Sequence, residues 1–320
     1  AVLVVDGGVL DGDEDVALGQ RALVDALHGG RGLLGLLVPL DDQGVEAHGA
    51  SSSRAAADPA GRTLSAGAGL VKGAGAGYPR GREGPPMTET AAAAPPLAGL
   101  RVLDCATILA APFAAACLAE FGAEVLKIEM PGEGDTLRRL GTPSPAGDTW
   151  WWLSDARNKR SLPLDLRTEA GAARFRELAA GADVVVENFR PGTLERWGLG
   201  FEALREANLG LVMLSVTGWG QTGPKRDLAG LARIAEGWAG LTHLTGHADG
   251  PPLLGGSSAL ADYVSGLYGA FGVMLALEAR RRTGRGQRVD VALFEGVWRF
   301  LDELAPMYAG TGYVRHRMAS

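Results

Sequence analysis

Hydrophobic positions follow two periods between residues 100 and 293. Short, nearly continuous apolar runs alternate with longer segments whose apolar residues return every third or fourth position. The short runs predict strands at 101–105, 124–129, 183–187, 211–216 and 289–293, with 161–166 extended. The periodic segments predict helices at 112–121, closed by Gly122, at 168–180, opened by a Thr-Glu start, and at 193–197 and 201–207. Strands alternating with helices predict an α/β fold: a Rossmann-like parallel sheet with helices on both faces and right-handed connections. The loop after the first strand reads ATILAAPF, so the glycine fingerprint for dinucleotides is absent.

The longest periodic segment follows a Gly-Gly-Ser-Ser turn at 255–258. Leu267, Phe271, Met274, Leu275 and Leu277 repeat at helical spacing, and Gly266, Gly269 and Gly272 leave room for close packing. The basic run at 280–282 suits the negative end of a helix dipole, and Gly284 should stop the helix. Asp262 stands near its start among small apolar residues. A buried unpaired charge is costly, so Asp262 is either an acid favoured by the dipole or a nucleophile or base; spacing alone leaves both open. The last segment begins as an amphipathic helix with Val297, Phe300, Leu301 and Leu304 on one face.

Composition narrows the classes. The 320 residues carry a net charge of −6 with scattered Lys and Arg, which gives no nucleic-acid footprint. Cys105 and Cys117 lack metal-type spacing and read as core residues in a reduced, cytoplasmic setting, and five dispersed His form no metal site. No apolar run reaches the roughly 18 residues of a membrane helix, so no membrane partner is expected, and no secretory signal is evident. Residues 1–86 differ from the rest: they hold eighteen glycines and one aromatic, Tyr78. They contain a β-like opening (1–5) and an apolar stretch (33–38), but beyond Ser51 the Gly/Ala/Arg-rich sequence cannot build a core. The first Met is Met87, and MTETAAAAPPLAGLRVLD reads as a natural beginning. Residues 1–95 are therefore expected to be a low-complexity extension, either upstream sequence translated in error or a disordered segment, with a small domain as the alternative.

Cations cluster at the ends of two predicted strands. Asn158-Lys159-Arg160 and Asn188-Phe189-Arg190-Pro191-Gly192-Thr193, with Arg196 one turn further, lie where open α/β sheets bind ligands. Such groups suit phosphate, although charged loop residues are more often simply solvated.

The run ALADYVSG, the long apolar helix after it and RRTGRGQRVDVALFEG resemble the family III CoA-transferases, the group of formyl-CoA transferases, CaiB/BaiF proteins and α-methylacyl-CoA racemases. GLRVLDCATILAAPFAAACLAEFGAEVLKIEMPGEGD, NKRSLPLDL and ADVVVENFRPGTLERWGLG agree in order, so the resemblance runs from Pro96 to about Met318. It implies a CoA-binding catalytic large domain at 96–293 and a linker helix at 294–320 leading to a missing small domain, in a chain incomplete at its C-terminus. It further implies a cytoplasmic, interlocked homodimer that takes coenzyme A and acyl-CoA as substrates and holds no cofactor tightly. Asp262 would be the nucleophile in CoA transfer between an acyl-CoA and a carboxylic acid, through an aspartyl covalent intermediate. Asn188, Phe189, Arg190, Thr193, Arg196 and Lys159 would contact CoA, and backbone N–H groups at 255–256 or 110–111 would stabilise the oxyanion.

Departures from the family refine this. Met130 and Pro131 stand where a basic residue contacts the nucleotide in relatives. Thr107 and Leu109 replace the histidine and glutamine of formyl-CoA transferases, and residues 229–231 lack their lysine and tyrosine, which argues against oxalate and formate. Leu231 replaces the racemase histidine, and racemisation needs two groups flanking one carbon. The ending TGYVRHRM resembles members acting on small dicarboxylic acids such as succinate. An acyl-CoA racemase or epimerase, and an inactive CoA-binding fragment, are the rival readings.

Overall fold

The computed structural model describes Val4–Val5, residues 94–255 and residues 259–317. The remainder of the predicted extension, including its apolar stretch, lies outside the described residues. Val4–Val5 is strand β1, and from Arg101 the chain alternates as expected. Its first half runs β2 (Arg101–Asp104), α1 (Ala110–Glu120), β3 (Glu124–Glu129), α2 (Trp150–Asp155), β4 (Lys159–Pro163), α3 (Glu169–Ala180) and β5 (Val184–Glu187). Next come α4 (Thr193–Arg196), α5 (Phe201–Ala207), β6 (Val212–Thr217), α6 (Ala232–Ala239) and α7 (Leu241–Leu244). The final elements are α8 (Leu260–Thr283), β7 (Arg288–Ala292), α9 (Leu293–Trp298) and α10 (Leu304–Thr311). The sheet order is β1-β7-β6-β5-β2-β3-β4. All neighbours from β2 to β7 pair in parallel, and β1 adds antiparallel to β7, with Val4 opposite Asp290. Among the parallel strands the order reverses between β2 and β5, the doubly wound arrangement whose ligand crevice opens at that reversal.

Central strands are apolar because both faces are covered. Val184–Glu187 is buried throughout, and the two cores lie on opposite faces of the sheet. Helix α1 is almost all alanine on its buried side, which lets α8 approach closely. A Cβ at Gly266 would lie 2.6 Å from the Ala110 carbonyl oxygen, and one at Gly269 would lie 2.9 Å from Leu214. The far end of α8 is pinned by Arg280, which donates to Asp183 (2.9 Å) and to the Gly210 carbonyl (3.1 Å). Those partners precede β5 and β6, so α8 runs antiparallel to the strands and its first turn lies at their C-terminal ends.

Three features differ from what the sequence pattern suggests. The large apolar residues of α8 do not face the core: Leu267 and Phe271 are 56% and 58% exposed, and Met274 and Leu275 are also exposed, whereas Leu277 and the glycine face are buried. The close contact with α1 selects the small side chains, which leaves the larger ones outside. Among the described residues α8 is also long and apolar enough, by length and composition, to cross a membrane. Its glycines and alanines extend the apolar stretch past the length expected from the sequence, but it packs here as a core helix against α1, α9 and β6. The C-terminal segment likewise departs from one continuous helix. It breaks between α9 and α10 where Asp302 adopts φ 53°, so Val297 and Leu301 are buried while Phe300 is exposed.

A buried charge cluster underlies the β2–α1 loop. Lys127 on β3 is 1% exposed and contacts Asp135 (3.0 Å) and Asp104 (3.6 Å), and it donates to the Ala106 carbonyl. Burial alone would lower the Lys127 pKa, but the two carboxylates outweigh it and raise it. Asp135 in turn accepts from the N–H groups of Ile108 (3.1 Å) and Leu137 (2.8 Å), which holds Ile108 at φ 66°. Removing one partner of a buried pair strands the others. Lys127→Met should therefore destabilise the protein by about 3–5 kcal/mol in urea unfolding; a loss below about 1 kcal/mol would show that the cluster contributes little.

Candidate active site

At the reversal between β2 and β5, two loops are tied together. The Asn188 side chain donates to the Thr107 carbonyl (2.7 Å) and accepts from the Thr107 N–H (2.8 Å). Both ends of the amide are thus used on one backbone unit, which fixes the loop after β5 against the loop after β2. Beyond Asn188, Phe189 packs edge-on against Trp197 with ring centroids 5.3 Å apart, and Gly192 turns the chain at φ 81° into α4. Arg190 and Arg196 are exposed on this loop, and Arg196 donates to the Thr193 hydroxyl (3.0 Å). The loop thus presents two exposed guanidinium groups suited to phosphate, while Phe189 and Trp197 are partly buried against the core beneath it.

Lys159 behaves differently from the expectation. Its ammonium is buried, donating to Asp104 (2.9 Å) and to the Pro112 carbonyl (2.6 Å). Burial lowers its pKa, and Asp104 opposes that effect. Here Lys159 neutralises Asp104 and holds the first turn of α1, rather than presenting charge to solvent. The loop after β3 lines an open cleft of about 270 Å³ whose wall carries Arg138. That guanidinium pairs with Glu129 (2.7 Å) and lies 3.9 Å over Trp152, so a cation is present near Met130 even though Met130 and Pro131 supply none. A larger cavity, about 350 Å³, opens beside Arg101 and Glu124 at the opposite end of the strands, away from this chemistry.

Asp262 lies in the first turn of α8, whose N-cap residue, Ala259, offers no side-chain cap. Burial, and then the Glu236 carboxylate, raise its pKa to about 6. Among the described residues, no hydrogen bond or ion pair to the Asp262 carboxylate is present. The adjacent Tyr263 anchors this turn: its hydroxyl donates to Asp155 (2.9 Å), accepts from the Trp151 indole (3.0 Å), and its ring meets Phe113 edge-on at 4.8 Å. Ala110 and Ala111 begin α1; of the other backbone candidates for the oxyanion, Gly255 is the last described residue before the gap at 256–258, and Gly256 lies outside the described residues. Leu231 is 68% exposed at the start of α6. Among the described residues no group of three His, Cys, Asp or Glu stands together as a metal site.

Sequence patterns missed three supports. Glu236 interrupts the buried face Ala232, Ala235, Ala239 of α6, and an acid at that helical spacing was the available signal. Lys127 within the strand EVLKIE was a comparable anomaly. The Asn188–Thr107 clamp had no local signal, because its partners are 81 residues apart.

Glu187 closes β5 directly below the clamp. Burial, opposed by hydrogen bonds from Ser215 and the Phe189 N–H, raises its pKa to about 7. An acid whose folded pKa exceeds its unfolded value costs stability as pH rises from the unfolded pKa through the folded one, here from about 4.5 to about 7. Glu187→Gln should therefore gain about 2–3 kcal/mol relative to the parent at pH 8 but little at pH 4.5, read by denaturant titration. A pH-independent difference would contradict the burial of an ionising group.

Residues 97–320 match the model of CoA-transferase family III. The chain is 56% identical over 225 residues to the succinyl-CoA–L-malate CoA-transferase beta subunit of Chloroflexus aurantiacus, covering 70% of this chain and 56% of that protein. It is 41% identical over 215 residues to the succinate–glutarate CoA-transferase of Agrobacterium fabrum, covering 65% of this chain and 54% of the relative. The chain thus spans about half the length of these curated relatives. A CAIB/BAIF family protein from Brucella suis superposes with a TM-score of 0.67 at 40% identity, over 70% of this chain and 60% of that one. With the motifs in order and the doubly wound fold formed, this chain belongs to CoA-transferase family III.

Proposed function

We propose that the protein moves CoA between an acyl-CoA thioester and a free carboxylic acid, with Asp262 as the nucleophile. The observation that carries this is the half-buried Asp262 carboxylate, unengaged by other described side chains, at the C-terminal end of the sheet. The carboxylate attacks the acyl carbonyl, forming a mixed anhydride and expelling CoA thiolate. The thiolate attacks the aspartyl carbonyl, forming an aspartyl-CoA thioester and releasing the first acid. The acceptor carboxylate then attacks that thioester, giving a new anhydride and thiolate. Thiolate attack on the acceptor's acyl carbon completes the new acyl-CoA and restores Asp262. Each step exchanges one acyl bond for another, so no net oxidation or hydrolysis is required.

Arg190, Arg196, Thr193, Phe189 and Asn188 form the CoA surface in this reading, with Lys159 supporting it from below. Small dicarboxylates are the proposed acyl group, in keeping with the names of the relatives, which pair succinyl-CoA or succinate with malate or glutarate. The exposed Leu231 supports transfer over racemisation, because it offers no proton-transferring group. The enzyme is read as cytoplasmic, with both cysteines free, and as an interlocked homodimer. The exposed stripe Leu267, Phe271, Met274 and Leu275 supports a second copy covering α8.

Asp262→Asn, made in protein expressed from its complete gene, should lower transfer about a thousandfold or more with unchanged circular dichroism. Transfer at the parental rate would reject the nucleophile. Arg196→Ala should raise KM for acyl-CoA about tenfold with little change in kcat; an unchanged KM would remove Arg196 from the site. Phe271→Asp should shift the sedimenting species from dimer to monomer, and an undisturbed dimer would place the interface elsewhere.

A further inference from the structure

We propose that Glu236 is a positioning residue for Asp262: from α6 its carboxylate caps the first turn of α8 and places a second negative charge beside the reacting carboxylate. The inference rests on the reading of Asp262 as nucleophile and adds a residue that the reading does not require. The first N–H groups of a helix need acceptors from outside it. Ala259 supplies no side-chain acceptor, and Glu236 Oε1 accepts the Ala261 N–H at 3.2 Å instead. This acceptor comes from another helix, so the start of α8 and the position of Asp262 are set by the packing of α6.

Glu236 is 2% exposed and stands among Ala232, Ala235 and Ala239. Burying an acid in an alanine face is costly unless the site gains from it. A second effect is visible at Asp262, whose pKa is pushed up by burial and then by the Glu236 charge. Other charged or titratable groups around this turn act less directly. Arg233 on α6 is exposed, Glu295 on α9 responds to burial and to Asp290, and Asp155 on α2 is bonded to Tyr263. Tyr263 itself feels the Asp262 charge, and α1 brings no charged residue to its first turn. A neighbouring negative charge makes Asp262 a more basic carboxylate, hence a stronger nucleophile once ionised. The repulsion is relieved when Asp262 becomes a neutral anhydride or thioester, so the strain is removed along the reaction.

The test is the pH dependence of kcat/KM for Glu236→Gln beside the parent protein, both expressed from the complete gene and assayed with succinyl-CoA and a dicarboxylic acid. Glutamine keeps an oxygen for the Ala261 N–H and removes the charge. The acid limb should move to lower pH by about half a unit to one unit, and the plateau should fall about three- to tenfold. Glu236→Leu, which loses the acceptor too, should lower kcat further and reduce thermal stability. A purely structural role would lower stability in Glu236→Leu while leaving the acid limb of Glu236→Gln on the parental profile, and that outcome would overturn the inference alone. Absence of transfer by the parent protein at every pH would overturn the reading of Asp262, and this inference with it.

Discussion

The close approach of α8 to α1 governs the rest of this structure. With 2.6 Å between a would-be Cβ at Gly266 and the Ala110 carbonyl, no larger side chain fits. That contact sets the height of α8 against the sheet and, one turn earlier, the place of Asp262 above the strand ends. It also decides which side of α8 is inside. Small residues take the core, and Leu267, Phe271, Met274 and Leu275 are left outward. A stripe of that kind is a surface to be covered, so one packing constraint links the candidate nucleophile with the proposed association.

Electrostatics then rigidifies the floor beneath the site. Lys127 and Lys159 are both buried against Asp104, and Asp135 bridges Lys127 to the backbone of Ile108. In a low-dielectric interior such groups persist only when paired on several sides, and here each pairing holds a part of the β2–α1 loop. The Asn188 clamp joins that loop to the one after β5. The loop that carries the proposed CoA contacts and the start of α1 therefore sit on fixed backbone, while Asp155 on α2, which accepts from Tyr263, and Glu236 on α6 fix the start of α8 from two other helices. The proposed reaction, in which Asp262 would change covalent partners several times in one cycle, would gain from such preorganisation.

Much of this was legible along the chain. The parallel strands announce themselves as apolar runs because both sheet faces are covered, and β3 and α5 form at the expected residues. Asp262 was visible as an acid in an apolar helix. What could not be read was orientation: helical periodicity marks Leu267 and Phe271 as one face but cannot say whether a protein core or another surface receives them. The break at Asp302 escaped notice because the apolar spacing continues through it. Lys159 was expected to contact CoA, since sequence gives no measure of a buried carboxylate 55 residues away. Contacts at that separation, like the Asn188 clamp, exist only once the topology is formed.

The most direct test of the central claim is the mass of the peptide that contains Asp262. Protein expressed from the complete gene would be mixed with succinyl-CoA, quenched in acid within one turnover and digested. The account predicts a CoA adduct on that peptide, absent from the Asp262→Asn variant and discharged when an acceptor acid is added. Transfer proceeding with that peptide unmodified, or with the adduct on another residue, would contradict it.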